Sequence, residues 1–131
     1  GVDSFYHPVN SETSKQIEKV WNSLTNSAKG EFRSVEFLTA HNRVLQGSEG
    51  TGEFTFKELC EDARGSSDYT AVAKAFNSII IRGVPQLSMN RRDLLRRFIL
   101  LIDALYYQHK NVVIEAHVPL DKLFDIEENL K

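Results

Sequence analysis

Four arginines, Arg91, Arg92, Arg96 and Arg97, crowd the start of an apolar run in a 131-residue chain. That run has helical spacing, so the cations oppose the positive end of a helix dipole, at a cost of up to about 1 kcal/mol each when exposed. The cluster implies either a solvated face, since long arginine stems also cover apolar surface, or an external anion. The anion would be a neighbouring subunit's nucleotide or an acidic partner. No aromatic residues interleave the arginines, so stacking on nucleic-acid bases has no support. Asp103 interrupts the apolar face on nearly the same side as Arg96 and within one turn of Tyr107. An intrahelical or cross-element polar contact suits it better than catalysis. Glu115 falls near the end of an expected inner strand, where open α/β sheets place ligand contacts, although a carboxylate paired for structure is the better reading.

Other chemistry is weaker. Gly47-Ser-Glu-Gly-Thr-Gly-Glu has the glycine spacing of a phosphate-binding loop, but Glu53 stands where lysine must neutralise the phosphates. The segment also leads to a strand and not a helix, so no helix N-terminus would face a ligand. A flexible hairpin loop is the better reading. His7, His41, His109 and His117 show no close metal-ligand pairing. Cys60 and His41 could be drawn as nucleophile and base, yet nothing nearby supplies an orienting group or oxyanion hole. A small core thiol is the simpler assignment.

The composition frames these candidates. Hydrophobic residues make up 41% and charged residues 26%, with a formal net charge of −2, which is ordinary for a soluble globular protein, and the length suits one domain with a real core. Such a charge exerts no global pull on nucleic acid or anionic membrane, so any electrostatic site must be a local patch. One cysteine rules out an internal disulfide and fits a reducing compartment. The apolar run at 98–102 ends at Asp103, far short of the ~20 residues a transmembrane helix needs. The chain opens without methionine or a signal-like stretch, and is read as a fragment or the mature part of something longer.

The elements that must position the candidates follow from periodicity. Ile17, Val20, Trp21 and Leu24 form one helical stripe, capped at Asn10 or Ser11 and ended by residues 26–30. Short strands are expected at 32–38 and 43–46, a flexible loop at 47–52, and a third strand at 54–56. A helix holding Leu59, Cys60 and Ala63 precedes another at about 69–76, capped by Ser66, Ser67 and Asp68. Residues 78–82 are β-branched without alternation, as in a strand buried on both faces of a partly parallel sheet. Asn90 with Asp93 resembles a capping box for the longest helix. Leu94, Leu95, Phe98, Ile99, Ile102, Leu105 and Tyr106 give that helix a wide apolar face, and Leu100 and Leu101 extend it almost all round. Residues 111–116 form the second buried strand, Pro119 opens a last turn through Leu123 and Phe124, and 125–131 read as a frayed acidic tail.

The expected fold is therefore α/β: a single domain with a mixed, partly parallel sheet flanked by helices. It has a βαβ unit near 78–116, an N-terminal helix and short antiparallel strands.

The spelling of the motifs adds a family. Phe54-Thr-Phe-Lys-Glu-Leu-Cys, Asp68-Tyr69, the stretch 76–85, Arg96-Arg97-Phe98-Ile99 with Leu101-Ile102-Asp103 and Leu105-Tyr106, and Val118-Pro119 with Leu123-Phe124 follow in order. Together they resemble the C-terminal region of the ZapE-type AAA ATPases and their mitochondrial relatives, the lactation-elevated ATPase family. Residues 6–24 and the strands around Arg43 look like that region too, so the resemblance covers nearly the whole chain. It implies an ATP-hydrolysing parent whose phosphate loop, acidic metal-binding strand and sensor lie upstream, with ATP and magnesium bound there and no cofactor in this chain. A ring-forming homo-oligomer is also implied, at the mitochondrial inner membrane or on its matrix side, working in quality control and turnover of respiratory-chain subunits. There are departures. Tyr107 stands where the family has aspartate, Glu115 replaces a serine, and a later segment with phenylalanine and arginine is expected beyond Lys131.

The leading expectation is a non-catalytic C-terminal domain that couples ATP state to subunit or client contacts. Arg96 and Arg97 would make an inter-subunit or anion contact, with Asp103 orienting them. Its partners would be the upstream ATPase domain, further copies and client proteins, with no nucleic acid and no transmembrane segment. No catalytic, nucleotide-binding or metal residue is expected in the chain itself. The alternatives are a stand-alone adaptor for client proteins and a small enzyme using Cys60 or Glu115.

Overall fold

The β-branched run Ser78–Val84 and the run Asn111–Ala116 are buried along most of their length, and they lie side by side in parallel with Ser78 opposite Asn111 and Ile81 opposite Ile114. A computed structural model describes residues 2–34, 41–45, 50–62 and 66–126 of the chain. Its elements run β1 (Val2–Tyr6), α1 (Ser11–Thr25), β2 (Glu31–Ser34), β3 (His41–Leu45) and β4 (Thr51–Thr55). A π-helical turn (Lys57–Glu61), α2 (Ser66–Ala75), β5 (Ser78–Val84) and β6 (Leu87–Ser88) follow. After a 3-10 turn (Met89–Arg91) come α3 (Arg92–Tyr107), β7 (Asn111–Ala116), a second 3-10 turn (Leu120–Lys122) and β8 (Phe124–Asp125).

Six strands form one sheet in the order β1-β7-β5-β4-β3-β2. The first four are parallel, and β3 and β2 continue antiparallel from β4. Parallel neighbours need crossovers: α2 carries the chain from β4 to β5, and α3 from β5 to β7. The protein is thus α/β with a mixed sheet flanked by helices, as the sequence predicts. Alternation along the strands sends Ile79, Ile81, Val112 and Ile114 to one face, where they meet Val72, Ala73, Leu94, Phe98, Leu101 and Leu105 of α2 and α3. Ile80 and Val113 point the other way onto Ile17 and Trp21 of α1. Burying each of those large side chains contributes roughly 1.5–3 kcal/mol.

Several local expectations are corrected. The strand β1 was not foreseen, because Val2-Asp-Ser-Phe-Tyr has too short an apolar pattern to announce itself. Thr51 and Gly52 are strand and not loop: both are buried, and a Cβ on Gly52 would come within 2.6 Å of the Phe54 ring. Glycine is needed there for close packing, not for flexibility. Residues 46–49, like 35–40 and 63–65, lie outside the described residues, and with them much of the expected first strand and the expected helical position of Ala63.

Asn90 and Asp93 do not form a capping box. Ser88 accepts from the Asn90 amide at the head of the 3-10 turn, and Asp93 binds Arg91 instead. The first helix does carry a reciprocal box, between Asn10 and Thr13. The helix α3 is not apolar all round in use: Leu94, Phe98, Leu101 and Leu105 are buried, whereas Ile99 and Tyr106 remain exposed. At the chain's far end β8 pairs in parallel with β6, so Phe124 and Asp125 are held, and 127–131 lie outside the described residues.

Candidate functional site

The polar chemistry of the sheet gathers under α1, in the carboxyl half of the parallel strands. Arg82 and Glu115 each follow an apolar stretch in neighbouring strands, and the register that places Ile81 beside Ile114 sets them side by side. A bulge after Ile81, with Gly83 at φ +72°, lets two residues of β5 oppose one of β7 and aims Arg82 at its partner. Arg82 donates from Nε to Glu115 Oε1 at 3.2 Å and from a terminal nitrogen to Oε2 at 3.0 Å. The same guanidinium donates to Ser14 Oγ at 2.7 Å and stands 3.7 Å from Glu53.

A second pair rims the cluster. Arg43 of β3 grips Glu18 of α1 through both terminal nitrogens at 2.7 and 2.9 Å, and its guanidinium lies 4.0 Å above the Trp21 ring. Its Nε donates to the Lys29 carbonyl at 3.1 Å. Trp21 Nε1 is itself satisfied by the Ala28 carbonyl at 2.7 Å.

Electrostatics divide the acids. Burial raises the Glu53 carboxyl above its ordinary value, against the pull of Arg82 and Arg43. The Arg43 hydrogen bonds hold Glu18 below its own. Glu115, 2% exposed, has its charge met by Arg82. The crevice beyond the carboxyl ends of parallel strands is where open α/β sheets take ligands. Here the nearby α1 face of the sheet carries one guanidinium between two carboxylates, leaving no surplus positive charge for a phosphate. The β1–α1 connection, His7-Pro-Val-Asn10, contains no glycine, and the Asn10–Thr13 box uses the amides at the helix start. These residues therefore do not fit ATP, and no nucleotide chemistry is assigned to them.

The arginines of α3 are separated by the fold. Arg91 pairs with Asp93 at 3.0 Å on the surface, and that hydrogen bond holds the Asp93 carboxyl low. Arg92 and Arg96 are exposed. Arg97 turns inward to donate to the Cys60 carbonyl at 2.8 Å, tying α3 to the π turn. Asp103 is exposed and makes no hydrogen bond or ion pair with Arg96, Arg97 or Tyr107 among the described residues. Seven residues of helix put Arg96 about 10 Å along the axis from it, beyond direct reach of a short carboxylate. The three residues are thus not brought together within the chain.

Cys60 is fully buried and its thiol is pushed up to about 12 by desolvation, so it carries no thiolate at neutral pH. Tyr69 beside it donates to the Leu59 carbonyl at 2.8 Å. Among the described residues no group of three His, Cys, Asp or Glu side chains could hold a metal, and no helix is long and apolar enough to cross a membrane. Glu18, Arg43, Glu53 and Arg82 were missed as site candidates. For Arg82 and Glu115 a signal existed: opposite charges at the fifth position of two buried strands.

Comparison with known proteins adds what the geometry lacks. The chain is 29% identical over 117 residues to the cell division protein ZapE of Escherichia coli, covering 89% of this chain and 31% of that protein. It is 46% identical over 71 residues to lactation elevated protein 1 homolog B of Danio rerio, covering 54% of this chain and 14% of that one. An uncharacterized protein of Schizosaccharomyces pombe is 27% identical over 124 residues, covering 93% and 27%. The chain thus spans less than a third of the length of each of these relatives. No solved structure matches it. A model of the AFG1-like ATPases matches residues 2–130, a span that includes every strand and helix of the sheet, so the chain belongs to the AFG1-like ATPase family.

Proposed function

We propose that the chain is the C-terminal α/β part of an AAA-type ATPase and couples ATP state to subunit or client contacts. The observation that carries this reading is the family match over 2–130 in a chain whose Arg82 is taken up by its own ion pairs to Glu53 and Glu115. The phosphate loop, the magnesium-binding acid and ATP itself belong, on this reading, to the remaining length of the protein. A homo-oligomeric, mitochondrial parent engaged in protein quality control follows from the resemblance to the lactation-elevated proteins, and Arg96, exposed on α3, is its candidate inter-subunit contact. Arg97, bound to the Cys60 carbonyl, would anchor the helix that presents Arg96.

Two measurements test the reading. The full-length protein should hydrolyse ATP, and Arg96→Glu should lower that rate together with the fraction of assembled protein. Calorimetry on the 131-residue chain should detect no ATP binding. Micromolar, magnesium-dependent binding would place the engine here and overturn the proposal. The exposed apolar flank of α3 favours one second reading, a nucleotide-independent adaptor. Clients retained by the chain without the ATPase half would support it.

A further inference from the structure

One flank of α3 faces α2, with Thr70 and Lys74 opposite Ala104 and Tyr107 across a cleft. The other flank is open. Ile99, Ile102 and Tyr106 rise along it at helical spacing, Ile114 of β7 forms the floor, and Leu123 and Phe124 make the far wall of a groove of about 240 Å³. Ile99 is 44%, Tyr106 39% and Phe124 45% exposed, so three large apolar side chains border the groove in the open. Beside the floor, Phe5 of β1 pairs with Ile114, and among the described residues β1 pairs with β7 alone. Parallel sheets are normally covered on both faces, and bare edges are normally blocked. Groove and bare edge adjoin.

We propose that this groove holds an amphipathic helix from the remaining chain of the same polypeptide, packed on α3 as α2 packs on its other flank. The inference rests on the reading that the chain is one part of a longer ATPase. Three observations choose this occupant. The relatives are far longer than the aligned region, which spans 14–31% of them, so the family supplies the material. Position comes next: β8 forms the groove wall and β1 borders its floor, so a segment attached through either strand is tethered beside the groove. Tethering of this kind gives effective concentrations on the order of millimolar, ahead of a separate partner. Charge is third. Asp103 stands on the ridge between the groove and the α2 cleft, without a hydrogen bond or ion pair among the described residues, and so calls for a lysine or arginine beside the occupant's apolar stripe.

The test is photocrosslinking in the full-length protein without nucleotide, with Tyr106 replaced by p-benzoylphenylalanine and, separately, Leu120, which is 59% exposed and tolerant of change. Equal amounts of light and heavy isotope-labelled protein are mixed before irradiation. The expected product joins α3 to a peptide outside this chain, with apolar residues at i, i+3 or i+4 and i+7, both halves carrying the same label. Pairs of mixed label would assign the groove to a second copy and overturn the proposal, as would cross-links to another protein or none from either site. Ile99→Asp should reduce the same-label product, and an unchanged yield would also overturn it. Since no ATP is present, failure of the ATPase reading shows separately, as a full-length protein that cross-links as expected but does not hydrolyse ATP.

Discussion

At the scale of single residues, Arg82 decides most. Its guanidinium is the partner that makes Glu115, 2% exposed, tolerable as a charge. Arg82→Met should therefore cost about 3–5 kcal/mol in urea unfolding, because it strands a buried carboxylate. Adding Glu115→Leu should recover most of that loss, since it removes the stranded charge. A double variant no better than the single would show that Arg82 acts through Ser14 or Glu53 instead. The two acids nearby should respond oppositely to pH. Glu53 is raised by burial, so its ionised form opposes folding at neutral pH, and that cost fades as pH falls through the raised value towards about 4.5. Glu18 is lowered by Arg43, so its contribution is complete above about 4.5 and is lost as pH falls through the lowered value. Thermal unfolding should find Glu53→Gln more stable than the parent at pH 7 with the gain gone near pH 4.5. Glu18→Gln should be less stable at pH 7 by up to about 1 kcal/mol, the size of an exposed pair. The opposite signs would refute this assignment. Of these residues only Glu115 stood out in the sequence, since a pairing between Arg82 and a residue 33 positions away depends on strand register.

At the scale of elements, what could be read from the sequence was what periodicity encodes. The stripe of Ile17 and Trp21, the runs of β5 and β7 and the length of α3 all announce themselves, because burial on a given face leaves a pattern. Short elements held by their neighbours leave none: β1 exists because β7 offers it a ladder, and β8 because β6 does. Gly52 shows why a glycine was misread. Within Gly-Ser-Glu-Gly-Thr-Gly it looks like loop, yet it sits where the edge-to-face pair of Phe54 and Phe76, 5.6 Å between centroids, leaves no room for a methyl group. Gly52→Ala should cost about 1–3 kcal/mol by overpacking, read by denaturant midpoint. A flexible loop would tolerate the change without loss. The Asn10–Thr13 box gives a smaller, separate test. Asn10→Ala should cost about 1 kcal/mol, with the loss of helicity confined to α1.

At the scale of the molecule, the sheet divides the protein into two unequal cores. The face covered by α2 and α3 holds an extended cluster running from Val44 to Leu123, whereas the face under α1 is sealed by Ile17, Trp21, Ile80 and Val113 with partly buried neighbours. To this apolar burial the smaller side adds polar ties, the Arg43–Glu18 ion pair and the Arg82–Ser14 hydrogen bond, and both Glu18 and Ser14 are exposed. Exposed ion pairs weaken as salt rises, and a helix with few buried contacts opens at lower free energy than the core. Native-state hydrogen exchange should accordingly find α1 amides opening in a unit of their own, below the global unfolding free energy, while β5, β7 and α3 exchange only by global unfolding. Raising salt from about 0.05 to 0.5 M should widen the gap, because screening acts on the Arg43–Glu18 pair that fastens α1 and leaves the larger core untouched. One shared opening energy for α1 and α3 at both salt concentrations would mean that the two faces fold as one unit. A separately opening α1 would instead give a neighbouring domain an element it could move without disturbing the open flank of α3.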